Sequence, residues 1–154
     1  IDNDCKYIFQ FDNDCEVITE NYMEKLVDVM DSNSKIGLIM LKRNGVGRSM
    51  VPSNIRKINN IMVGDVPQAT CCMIIRKELL DKINVWFTGK KIGWGFTISQ
   101  KIKNLGYSVL KSTDIQVNHI DGGNAKHQQK KKYPSYVSKS FGSSNYRVVN
   151  YWKK

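Results

Sequence analysis

The sequence predicts an α/β fold, and three observations carry the prediction. Apolar runs of strand length, bounded by polar turn residues, occur at Lys6 to Phe11, Ile36 to Leu41 and Ala69 to Ile75. Between and after them lie segments whose apolar residues recur every three or four positions, as on one face of a helix. The first run, a helical stretch and the second run follow in direct succession, an order that favours a parallel βαβ unit with a right-handed crossover. The expected architecture is a mixed, mainly parallel sheet flanked by helices.

Each element has its own justification. Tyr7, Ile8, Phe9 and Phe11 make a short aromatic and β-branched run that suits a buried strand. Thr19 is placed to cap the helix that follows, and Glu20 and Glu24 suit its positive end. Tyr22, Met23, Leu26, Val29 and Met30 form its apolar stripe, and Asp31-Ser32-Asn33-Ser34 ends it. From Lys42 to Val66, Gly45, Gly47, Pro52 and Gly64 punctuate a basic stretch that reads as irregular loop with room for one short hairpin. Ala69 to Ile75 is the third strand, running into a short helix from Arg76 to Ile83. Trp86-Phe87 and Gly93-Trp94-Gly95 frame a glycine-rich aromatic loop. The next helix has Ile98, Ile102 and Leu105 on one face and Gly106 as its stop. Tyr107 to Leu110 and Ile115 to Ile120 read as two further short strands, with Asp121-Gly122-Gly123 behind them.

At 154 residues the chain is long enough for one domain with a sizeable core. Residues 1–123 are expected to form it, with 124–154 as a basic, aromatic tail. No apolar run approaches the ~20 residues that a spanning helix needs, which excludes a membrane-embedded helix. The four cysteines include no CxxC pair, and neither histidine sits at zinc-knuckle spacing from them. They read as buried free thiols of a reducing, cytoplasmic compartment. The net charge of +10 is uneven, because eight Lys or Arg and no acidic residue follow Asn124. Lys130-Lys131-Lys132-Tyr133 and Tyr151-Trp152-Lys153-Lys154 mix cations with aromatics. Such a tail can be simply solvated, can touch an anionic membrane surface, or can stack and pair with single-stranded nucleic acid.

The chemistry-bearing feature is Asp12-Asn13-Asp14, placed directly behind the first strand. In extended backbone, side chains two residues apart point the same way, so Asp12 and Asp14 can reach one hard cation. Open α/β sheets bind ligands at the carboxyl ends of their strands, where this pair falls. The competing reading is a plain strand-end turn, and Asp2-Asn3-Asp4-Cys5 nearly repeats the triplet without a strand before it.

Six segments in order resemble the later part of a family 2 glycosyltransferase, with the GT-A (nucleotide-diphospho-sugar transferase, Rossmann-like) fold. They are Phe11-Asp12-Asn13-Asp14, Ile36-Gly37-Leu38, Cys72-Met73-Ile74-Ile75-Arg76-Lys77-Glu78, Gly93-Trp94-Gly95, Leu105-Gly106-Tyr107 and Val117-Asn118-His119. The match covers about residues 6 to 120. The resemblance implies that Asp12, Asp14 and His119 hold Mn²⁺ or Mg²⁺, and that Asp12, Asn13 and Trp94 contact the donor, a UDP-sugar. A glycan or lipid-linked molecule would be the acceptor.

Two departures from the family pattern shape the expectation. Inverting members carry an acidic base just after the Trp-Gly loop, whereas this chain reads Gly95-Phe96-Thr97-Ile98-Ser99-Gln100. Asp121 is the substitute candidate, and Thr70 stands where the family has a small glycine beside the sugar. The chain also starts at the Asp-x-Asp strand, so the family's earlier nucleotide-binding strands are missing. The expectation is that this is part of a longer protein or that another chain segment completes the domain. A non-catalytic carbohydrate-binding relative and a basic nucleic-acid-binding module are the alternative readings.

Overall fold

The computed structural model describes residues 5–12, 15–44, 50–70, 72–84 and 94–119, without the side chains of Trp94 and His119. In chain order the elements are β1 (Tyr7–Gln10), β2 (Cys15–Val17), α1 (Tyr22–Ser32), β3 (Ile36–Asn44), β4 (Ser53–Ile58), β5 (Ile61–Asp65), β6 (Met73–Arg76), α2 (Lys77–Ile83), α3 (Trp94–Asn104) and β7 (Ser108–His119). All the strands join one sheet in the order β1-β6-β3-β7-β5-β4, with β2 added on β7. Strand alternation sends Tyr7, Phe9, Ile39, Leu41, Ile74 and Leu110 to one face, where Leu26, Val27, Val29 and Met30 of α1 cover them. Ile8, Leu38, Met40, Met73, Ile75 and Val109 go to the other face, under Leu79, Leu80 and Ile83 of α2 and Ile98 and Ile102 of α3. The result is a helix–sheet–helix sandwich. Burial on both faces explains why the central strands are unbroken apolar runs.

The α/β class holds, but the sheet is mostly antiparallel rather than mainly parallel. Among the described residues only β3 and β7 pair in parallel, while β1 and β3 each pair antiparallel with β6. β1 and β3 therefore run the same way with β6 inserted between them, so the expected crossover spans one intervening strand. The expected loop from Lys42 to Val66 contains a regular hairpin of β4 and β5. Its two-residue turn, Asn59-Asn60, has positive φ at both positions (45° and 66°), the twist that joins tight antiparallel strands. The two short strands expected after Gly106 are one strand, β7, with a register shift between its pairs Met40↔Lys111 and Lys42↔Gln116. The shift is held by Ser112 Oγ, which accepts the amides of Asp114 (3.3 Å) and Ile115 (3.0 Å).

The helix ends also differ in detail. Thr19 does not cap α1; Asn21 precedes it in the left-handed region (φ 51°), and Thr19 Oγ1 accepts the Gln116 amide at 3.0 Å instead. Gly106 stops α3 as expected, at φ 80°. The Gly106 amide reaches Lys103 O (2.8 Å) and the Tyr107 amide reaches Ile102 O (3.2 Å), the paired bonds of a left-handed helix stop. Leu105 lies beyond the helix and is 44% exposed, so it does not extend the apolar face. The strand expected from Ala69 begins only at Met73, because the Ala69 amide is given to Ser99 Oγ of α3 (2.8 Å) and Cys72 has φ 33°.

α1 has no basic residue in its last turn, yet its end is neutralised from elsewhere. Buried Arg76, from β6, donates to the carbonyls of Met30 and Asn33 (3.0 Å for the latter), to Ile36 O at the start of β3 (2.7 Å), and to Tyr7 Oη (3.3 Å). Tyr7 in turn donates to Asp31 at 2.5 Å, and Lys6 bonds the same carboxylate. Burial, then the bond to Asp31, pushes the Tyr7 hydroxyl above its ordinary value, while the bond to Asp31 raises Lys6. Both folded values exceed the unfolded ones, so the stability they carry is complete below about pH 10 and fades as pH rises through the folded values. A Tyr7→Phe protein is expected to lose Tm less steeply than wild type above about pH 10. Parallel alkaline limbs in a Tm-against-pH series would exclude that role for Tyr7.

Candidate functional site at the sheet rim

Strand direction gathers the candidate residues at one end of the sheet. β1, β3 and β7 run the same way, so their carboxyl ends, at Gln10, Asn44 and His119, lie on one rim together with the amino end of β6. Phe11 is fixed there by an edge-on contact with Tyr22 of α1 (centroids 5.8 Å apart) and by stacking with Phe9. Half-buried Asp12 follows it directly.

The Cys15 amide donates to the Asp12 carbonyl at 3.2 Å. The side-by-side placement expected of Asp12 and Asp14 falls outside the described residues, because Asp14 does. A second link to this rim is described. β2 pairs antiparallel with the end of β7 in the register Cys15↔His119, Glu16↔Asn118 and Val17↔Val117. Opposed residues in such a ladder have Cα atoms about 4.5–5.5 Å apart, so residue 119 lies directly across from the residue after Asp14. The Ile18 amide prolongs the ladder to Gln116 O at 3.2 Å. Asn44, at the end of β3, donates to Gln116 Oε1 at 2.9 Å, which adds a polar tie across the same rim.

α3 brings the Trp-Gly segment to this end of the molecule. Its first residues lie against Ala69 and Thr70: a Cβ added to Gly95 would sit 2.5 Å from the Ala69 carbonyl oxygen. Ser99 Oγ donates back to Gly95 O (2.6 Å), and Lys103 Nζ donates to Val66 O (2.7 Å) and Pro67 O (3.0 Å). The loop before β6 is thus clamped to α3. No acidic residue occurs in the first turn of α3.

The structure brings Asp12 and the backbone of residues 94 and 119 to one rim. Asn13, Asp14 and Asp121, the side chains of Trp94 and His119, Cys71, the Trp86-Phe87 loop and the 124–154 tail lie outside the described residues. Among the described residues no group of three metal-ligating side chains occurs, and Cys5, Cys15 and Cys72 form no disulfide. No described helix is long and apolar enough to cross a membrane. A cavity of about 310 Å³ opens at the opposite rim, lined by Cys5, Lys6, Arg76, Lys77, Glu78 and Asp81. Its charges are already engaged, in the pairs Lys6–Asp31, Lys77–Asp81 and Glu78–Lys82 and in the carbonyls around Arg76, so it makes no demand for a ligand.

One rim residue escaped the sequence reading. Gln10 ends β1, is only 6% exposed, and its side-chain oxygen has no hydrogen-bond partner among the described residues. An amide closing an otherwise apolar strand was the available signal. No protein-family model, curated protein or solved structure matches the chain.

Proposed function

We propose that the chain is a GT-A-like domain that transfers a sugar from a nucleotide-diphospho-sugar, a UDP-sugar, to a hydroxyl of a glycan or lipid-linked acceptor. The observation that carries this reading is the pairing of Cys15 with His119. Two segments about a hundred residues apart, each bearing an expected ligand, meet at the carboxyl rim of the sheet. The donor set fits the ion: two carboxylates suit either Mg²⁺ or Mn²⁺, and an imidazole shifts the preference toward Mn²⁺. A bound dication stabilises the charge that the departing diphosphate acquires. Asp12, Asp14 and His119 would hold it, and Asn13 and Trp94 would contact the donor. Asp121, two residues past His119, is the carboxylate available to take the acceptor proton.

The absence of an acidic residue in the first turn of α3 favours one second reading, metal-dependent binding of the donor without transfer. Calorimetry with UDP-sugars, with and without Mn²⁺, tests the shared core of both. Wild type is expected to bind only with metal, and Asp14→Ala to weaken that binding at least about tenfold, the loss of one charged oxygen ligand. Binding indifferent to Mn²⁺ or to the substitution would end the proposal. Turnover assays then separate the two readings, because transfer abolished by Asp121→Asn requires the catalytic one.

A further inference from the structure

We propose that Gln10 contacts a hydroxyl of the transferred sugar, an inference that rests on the donor-binding reading above. Alternation along β1 puts Gln10 on the same face as Ile8, the face covered by α2 and α3. Across the sheet it opposes Met73, at the amino end of β6. Met73 packs in one cluster with Ala69, where the first turn of α3 is anchored. Gln10 therefore lies beneath the rim on the Thr70 and Trp94-Gly95 side, two residues before Asp12. Two residues of extended chain span about 6.6 Å, the reach of a sugar ring attached to a metal-bound diphosphate.

A buried amide oxygen without a partner normally costs stability, so its retention calls for an occupant that satisfies it. Phosphate oxygens at neutral pH offer that atom nothing, since they only accept. A sugar hydroxyl both donates and accepts, and so satisfies the carboxamide in either of its two orientations. The diphosphate would belong to the Asp12–Asp14 end, and the sugar to Gln10.

The test compares UDP with UDP-glucose, UDP-galactose and UDP-N-acetylglucosamine, each with Mn²⁺, on the full chain and on Gln10→Met. Methionine keeps the length and volume but offers no oxygen. Gln10→Met is expected to bind UDP as wild type does and to lose about tenfold affinity for the preferred UDP-sugar, as expected for one lost hydrogen bond. Without ligand its Tm should be no lower than that of wild type. Unchanged UDP-sugar affinity overturns the inference, as does an equal loss for UDP and UDP-sugar. A Tm several degrees lower without ligand would make Gln10 a group that holds the fold, and overturns it too. Failure of wild type to bind UDP with Mn²⁺ sinks the donor-binding reading itself, a different outcome from any of these.

Discussion

Arg76→Ala is expected to cost about 3–5 kcal/mol of folding stability, on the basis of about 1.5–3 kcal/mol for each hydrogen bond made by a charged donor. The guanidinium is 7% exposed and serves four oxygens from three separate pieces of chain: the end of α1, the start of β3 and Tyr7 of β1. Truncation strands the carbonyls of Met30 and Ile36 in the interior and removes the cation at the end of α1. A loss of that size is a large fraction of the about 5–15 kcal/mol that holds an ordinary domain together. Urea denaturation followed by circular dichroism measures it, with the midpoint falling at constant slope. Arg76→Lys should recover only part of the loss, because a single ammonium cannot reproduce the planar fork. A midpoint within about 1 kcal/mol of wild type for Arg76→Ala would mean that water replaces the side chain readily.

Gly95→Ala is the second substitution with a large expected effect, and its sign is diagnostic. In an unconstrained helix interior, alanine in place of glycine stabilises by about 1 kcal/mol. Here the new Cβ would lie 2.5 Å from the carbonyl oxygen and 3.0 Å from the carbonyl carbon of Ala69, both backbone atoms. That backbone cannot retreat cheaply, since Ser99 holds the Ala69 amide and Lys103 holds the carbonyls of Val66 and Pro67 just before it. The expected result is destabilisation of about 1–3 kcal/mol, as for an overpacked contact. A larger proportional loss of metal-dependent UDP-sugar affinity should accompany it, because the helix start and Thr70 are forced apart at the rim. A higher Tm, or affinity that tracks stability alone, would show that the contact is soft. At Gly37 the neighbours within 3 Å are side-chain atoms, Leu79 Cδ1 at a flexible end but Ile102 Cγ2 and Tyr107 Cβ held close to their backbones.

The core strands were legible in the sequence because burial on both faces leaves them no polar positions: Ile36 to Leu41 and Met73 to Ile75 are apolar throughout. Pairing partners were not legible. Nothing local in Met73–Arg76 says that it will be inserted between β1 and β3, and that insertion adds two antiparallel pairings where one parallel pairing was expected. The β4–β5 hairpin, for which the sequence left room, was hard to place for the opposite reason. Its outer strand, Ser-Asn-Ile-Arg-Lys-Ile, is exposed along nearly its whole length and has no apolar alternation. The Asn59-Asn60 turn was the signal to follow. At the rim, the Asp12–Asp14 pair and His119 were readable as types of residue, whereas the pairing of Cys15 with residue 119 depends on β2, a three-residue strand too short to announce itself. Thr19 looked like a helix cap because its hydroxyl suits that task, but the Gln116 amide claimed it through folding.

The irregularity in β7 governs what arrives at that meeting point. Between Lys111 and Gln116 the strand takes five steps while β3, beside it, takes two, from Met40 to Lys42. Those surplus residues act as a vernier: they set the phase in which the last turn of the ribbon presents its odd and even positions. Buried Val117 faces inward and residue 119 stands level with Cys15 only at this offset. One residue more or fewer between Ser112 and Ile115 would turn that whole terminal stretch over. The length of a four-residue kink, remote from the acidic triplet in sequence, thus decides which residue of β7 stands opposite Cys15.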